Sequence, residues 1–163
     1  MDPIVLVDDP NYAVGRAGDL LVVLWIGETT PAAVRRVAEL VRTSRDRGER
    51  VGLLQVILHA AKPPDQETRE ALIELVRGGR DVLAASAVVY PGDGFVMAAA
   101  RAFVSGIAML ARPGFPHMVF PSRPEAADWI ARLLPPGRGQ VRSGAEVSMV
   151  VDALLRRVGA PDA

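Results

Sequence analysis

Nonpolar positions along the chain follow two rhythms. Ile4–Asp9 (IVLVDD) and Asp19–Gly27 (DLLVVLWIG) are short runs of branched and aromatic residues, and both predict strands. PNYAVGRAG between them holds turn residues and no helical period, so the two runs are expected to form a hairpin. Thr30–Pro31 sets a hydroxyl N-cap before proline at the first helical position. Val34, Val37, Ala38 and Val41 then recur at helical spacing, with Arg35, Arg36, Glu39, Arg42 and Arg45 on the wet face and Gly48 at the end. Val51–His59 is almost continuously apolar, as a strand covered on both faces must be. Asp65 can cap a helix running to Arg77, with Leu72, Leu75 and Val76 inward and Gly78–Gly79 as its stop. Val82–Tyr90 is a second buried strand, and His117–Phe120 a short last one.

Two helices close the chain. Ser122 and Glu125 form a capping-box pair ahead of a face made of Ala126, Trp129, Ile130 and Leu133. After the break at Pro135–Gln140 (PPGRGQ), Ser143 and Glu146 form a second such pair. Val147, Val150, Val151, Leu154, Leu155 and Val158 follow as an amphipathic stripe. The expected order is β-β-α-β-α-β-α-β-α plus one appended helix. Strands alternating with helices need crossovers, so the fold class is α/β. The expected sheet is mixed, mainly parallel, of about five strands, with the first strand antiparallel. The expected organisation is a domain over 1–134, a linker over 135–142, and an appended amphipathic helix with a tail over 143–163. The core is expected to be complete at Leu134.

The stretch YPGDGFVMAAARAFVSGIAMLARPGF, Tyr90–Phe115, is nearly all apolar. A helix from Gly94 to Ala111 would rise about 27 Å, at the lower edge of membrane-spanning length, with Arg101 mid-span where a charge is costly. A core helix capped by Asp93 is the better expectation. Projected at about 100° per residue, Phe95, Val96, Phe103, Ile107 and Leu110 fall on one face, which the projection assigns to the core. Arg101, Ser105 and Arg112 share the opposite face with Ala98, Ala102, Ala108 and Met109. Small residues there let another backbone approach, and arginine can anchor it. The candidate partner-binding residues are therefore Ala98, Arg101, Ala102, Ser105, Met109 and Arg112.

Composition narrows the chemistry. Of 163 residues, half are hydrophobic and 23% charged, which is globular rather than disordered. Formal net charge is zero, so no nucleic-acid footprint is expected. Lys62 is the sole lysine, a usage typical of GC-rich bacterial genomes. With no cysteine, disulfides and thiolate chemistry are excluded. MDPIVLVDDP has no basic n-region, so no signal peptide is expected and the location is expected to be cytoplasmic.

No catalytic signature emerges. His59 and His117 lie at opposite strand ends, on the order of 15–20 Å apart at about 3.3 Å per residue, with no third ligand for a metal. Gly92–Asp93–Gly94 sits where phosphates meet helix N-termini. The longer glycine pattern fails at Met97, though, and Asp93 would repel an anion, so a tight turn is expected. No catalytic residue, metal or cofactor is assigned.

GDLLVVLWIGETTPAAVRRVAELV resembles the second strand and first helix of STAS domains, the fold of bacterial anti-sigma-factor antagonists. FPHMVFPSRPEAADWIARLL resembles the last strand and helix of that fold. The resemblance covers Pro3–Leu134 and extends to the STAS-like group related to CRAL–TRIO lipid-transfer domains. It implies a STAS-like sandwich. The phosphorylated antagonists carry an Asp-Ser-x-Gly-type motif at the start of their second helix. Here that region reads HAAKPPDQETREAL with Thr68 as its hydroxyl, so the phosphoserine switch is not expected. PIVLVDDP resembles the first strand of a receiver domain, but the expected second strand, the absence of aspartate from VILHAAK and of lysine near Ser122 and Arg123 all depart from that family. The reading favoured is a non-enzymatic regulatory or scaffolding module acting through a protein partner or homo-oligomer. An apolar small molecule or lipid as ligand comes second, and a degenerate receiver third.

Overall fold

Six strands hydrogen-bond side by side in sequence order, β1-β2-β3-β4-β5-β6. They are β1 (Ile4–Asp9), β2 (Tyr12–Ala17), β3 (Leu20–Trp25), β4 (Val51–Ile57), β5 (Leu83–Val89) and β6 (His117–Phe120). The computed structural model describes residues 2–58, 64–136 and 141–160, and all of their side chains except that of Phe95. β1–β2 and β2–β3 pair antiparallel, and β3 through β6 pair parallel. The protein is thus α/β with a mixed sheet, of six strands among the described residues rather than the expected five.

The hairpin expected between the first two apolar runs does not form. The segment read as a turn is itself a strand, β2, lying between them. β1 therefore runs in the same direction as β3, and β2 is the antiparallel member. Its residues alternate small and large. Ala13 and Ala17 join one core, while Val14 joins the other and Tyr12 packs against it. Tyr12 stacks on Trp25, its register partner, with ring centroids 5.8 Å apart.

Among the described residues, five helices cover the sheet. α1 (Pro31–Asp46), α2 (Gln66–Gly78) and α3 (Phe95–Ala111) are the crossovers between successive parallel strands. The strand order steps one way only, so right-handed crossovers place all three on the same face. Val34, Val37 and Val41 of α1 and Ala71 and Leu75 of α2 meet Leu21, Val23 and Leu53 there. α1 starts as expected, with the Ala33 amide donating to Thr30 Oγ1 at 3.2 Å. On this face the Trp25 indole N–H donates to Gln55 Oε1 at 3.2 Å, satisfying a buried polar pair.

The opposite face is covered by α4 (Arg123–Ala131) and α5 (Gly144–Val158). Val147, Val150, Val151, Leu154 and Leu155 of α5 are buried in one cluster with Leu20, Val22 and Leu24 of β3 and with Ile130 of α4. The core on this face is therefore not complete at Leu134. α5 closes it within the same chain, and Gly15 of β2 lies directly beneath Leu154. A Cβ at Gly15 would sit 2.9 Å from Leu154 Cδ1. The α5 capping box forms, with Ser143 Oγ accepting from the Glu146 amide and Glu146 Oε2 from the Ser143 amide, both at 3.2 Å. The box expected at α4 does not: Ser122 Oγ donates to Glu125 Oε1 at 2.8 Å, so hydroxyl and carboxylate satisfy each other. Among the described residues, no helix is long and apolar enough to cross a membrane.

Candidate functional site

α3 departs furthest from its expected setting. The face assigned to the core is largely the wet one: Val96 is 70% exposed, Phe103 40% and Leu110 71%. Of that set, Ile107 is buried, and the Phe95 side chain lies outside the described residues. The packed side is instead small: Ala108 and Ala111 are buried beside Ile107. Close approach of the helix to α2 and β6 selects those residues over larger ones.

The predicted partner-binding residues separate accordingly. Ala98, Ala102, Met109 and Arg112 are exposed, Met109 at 76%, whereas Arg101 and Ser105 are half-buried. Arg101 faces inward. Its Nη1 donates to Gly92 O at 2.8 Å and Tyr90 O at 3.2 Å, tying the helix to the turn that follows β5. The guanidinium expected to anchor a partner thus makes its hydrogen bonds within the chain. A second tie, missed from sequence, holds the other end. Arg80 donates from Nε to Arg112 O and from Nη2 to Ala111 O, each at 2.9 Å. A guanidinium at a helix C-terminus satisfies orphan carbonyls and complements the helix dipole. Arg112 itself ends the helix in the left-handed region at φ 50°. The N-cap is Gly94 at φ +91°, not Asp93, and no side chain caps this end.

With its one internal arginine turned inward, α3 offers solvent an uncharged surface. Val96, Ala98, Ala99, Ala102, Phe103, Met109 and Leu110 are all exposed, and no other charged residue lies among them along the helix. Soluble proteins seldom leave a contiguous apolar face of this kind open without use.

β6 borders this surface. It is the last strand of the sheet and packs against α3. His117 is the register partner of Ser86, which places its ring on the α3 side of the sheet. Both ring nitrogens are buried and have no hydrogen-bond partner among the described residues. Burial lowers the His117 pKa and keeps the imidazole neutral. The expectation for His59 concerns a residue outside the described ones. Among the described residues, no group of three His, Asp or Glu side chains is arranged to hold a metal.

A cavity of about 170 Å³ lies between α4 and α5, over Leu54, Val56 and Val89, with the Arg123–Asp152 ion pair (3.1 Å) among its lining residues. Asp9 Oδ1 accepts from the Asn11 amide at 2.9 Å in the β1–β2 turn. Thr68 is buried, and its amide donates to the α2 N-cap Asp65 at 2.8 Å.

No protein-family model matches the chain. No curated protein matches it either. Among solved structures it is similar to the β subunit of geranyl-CoA carboxylase from P. aeruginosa, at 12% identity and a TM-score of 0.42. The alignment covers 94% of this chain and 32% of that one, so the chain spans about a third of that subunit's length. A likeness at that level carries no functional argument.

Proposed function

We propose that the protein is a non-enzymatic, STAS-like regulatory or scaffolding module of the bacterial cytoplasm that works by docking a protein partner on α3. The observation that carries this reading is the uncharged outward face from Val96 to Leu110, held in place by two arginines whose hydrogen bonds are internal. A helix fixed at both ends presents its side chains without the ordering cost that weakens mobile surfaces. The buried setting of Thr68 supports a module without the phosphoserine switch. The second strand following β1 speaks against the receiver-like alternative.

Binding of an apolar small molecule or lipid in the cavity between α4 and α5 is the less favoured alternative. At about 170 Å³ it falls short of the roughly 300 Å³ at which ligand pockets begin.

Oxidative footprinting tests the docking reading. Met109 on α3 is 76% exposed and Met149 on α5 is 59% exposed, so in the dilute purified protein both should oxidise readily. In the cells that produce the protein, Met109 should be protected several-fold relative to Met149. Equal oxidation of the two in those cells overturns the reading.

A further inference from the structure

The two edges of the sheet are finished differently. β1 carries Asp8 and Asp9 and a register irregularity between Val5 and Val7, all devices that discourage strand addition. β6 reads HMVF, without an ionised residue at neutral pH, without proline inside it and without a bulge. Its inward ladder is accounted for: Pro116 O accepts from the Ser86 amide and Phe120 O from the Tyr90 amide, each at 2.9 Å. Alternation along a parallel ladder then turns the amides and carbonyls of His117 and Val119 away from β5, toward the open edge.

We infer that this edge and the outward face of α3 together take a second copy of the same chain, joined about a two-fold axis. The inference rests on the docking reading above and names its occupant. Charge permits that occupant. A two-fold contact sets a surface against itself, so any charge near the axis meets its own kind. The outward α3 face has no charge from Val96 to Leu110, and β6 adds none, so self-contact is free of that penalty. Shape agrees. Ala98, Ala99 and Ala102 line the exposed side and let two helices approach closely.

Size requires both elements. The helix face is about 25 Å long and about 10 Å wide, a few hundred Å² at most. A stable interface covers about 800 Å² on each partner, so strand pairing must extend the helix contact. An antiparallel pair centred on Met118 sets His117 opposite Val119 of the second copy. All four outward polar groups on each strand are then used. Both α3 helices come to lie side by side on one face of a continuous sheet. Met118, 46% exposed, meets its counterpart on the other face.

Sedimentation equilibrium of the purified full chain tests this with two variants. Val119→Pro removes an amide hydrogen that the fold does not use. Ala102→Glu places a carboxylate on the helix face. The wild type should show a single monomer–dimer equilibrium. Each variant should weaken it about 100-fold or more while leaving far-UV circular dichroism unchanged, the scale set by burying an unpaired polar or charged group. If Val119→Pro misfolds, Ala102→Glu decides alone. A dimer that persists in a folded variant overturns the inference, as does a wild type that stays monomeric at high micromolar concentration. A monomeric wild type whose Met109 is nonetheless protected in cells leaves docking intact and removes only the second copy as occupant.

Discussion

α3 and α5 lie on opposite faces of the sheet, and each carries an apolar stripe of similar length. α5 is framed on every side. Ser143 and Glu146 box its start, Gly159 ends it in the left-handed region, and Glu146, Arg156 and Arg157 mark its wet face. Its Val/Leu stripe is buried from Val147 to Leu155. α3 has no side-chain cap at its N-terminus, no acidic residue in its first turn and no basic residue in its last. Its largest described side chains mostly face out, and small ones face in. Charge, more than hydrophobicity, tells a helix which side is wet. Where charge is missing, orientation is decided by packing that leaves little trace in the pattern.

The sharpest way to break this contrast is to shorten the same side chain in each helix. Leu154→Ala should cost about 2–5 kcal/mol in chemical denaturation, because the site is fully buried against Gly15. Removing the α5 box with Ser143→Ala should cost about 1 kcal/mol in the same assay. A pH series on stability probes the seam beneath α3. Burial lowers the His117 pKa below its ordinary value of about 6.5, so as pH falls the unfolded chain takes up that proton first. Above the unfolded value both states hold the ring neutral and the effect vanishes. Stability should then decline below about pH 6.5 until the folded imidazole protonates too. His117→Phe should flatten that part of the curve. Smallest of all, Leu110→Ala on α3 should change the stability of the dilute protein by less than about 0.5 kcal/mol, since the side chain is 71% exposed. A large loss at Leu110 would mean that the face is already covered within the chain.

Much of the fold is legible where local chemistry and burial agree. Thr30–Pro31 announces α1, the nearly continuous apolar runs announce β4 and β5, and Ser143 with Glu146 announces α5. β2 is hidden because its inner face is Ala13, Gly15 and Ala17, too small to register as a hydrophobic rhythm. Gly15 in particular carries no side chain where Leu154, far away in sequence, fills the space. The one available signal is the alternation of small and large residues from Tyr12 to Ala17. For the candidate site, the sequence locates α3 and its alanine-rich character. It points to Ala98, Ala102 and Met109, which are exposed, but turns Val96, Phe103 and Leu110 inward, which are exposed as well. Arg101 escapes a sequence reading because its acceptors are backbone carbonyls, which no side-chain pattern reveals.

The strictly sequential strand order also bears on how the chain is built. Each strand pairs with the one made just before it, so the sheet can grow from β1 to β6 as the chain leaves the ribosome, with every new pairing closed over a single intervening segment. α5 is the exception. This helix, made after all six strands, must return to the antiparallel strands and settle over β2. Until it has been synthesised, Gly15 and its neighbours stand uncovered on one side of an otherwise finished sheet. The nascent chain therefore carries an exposed apolar surface from the pairing of β2 with β3 until α5 has been made.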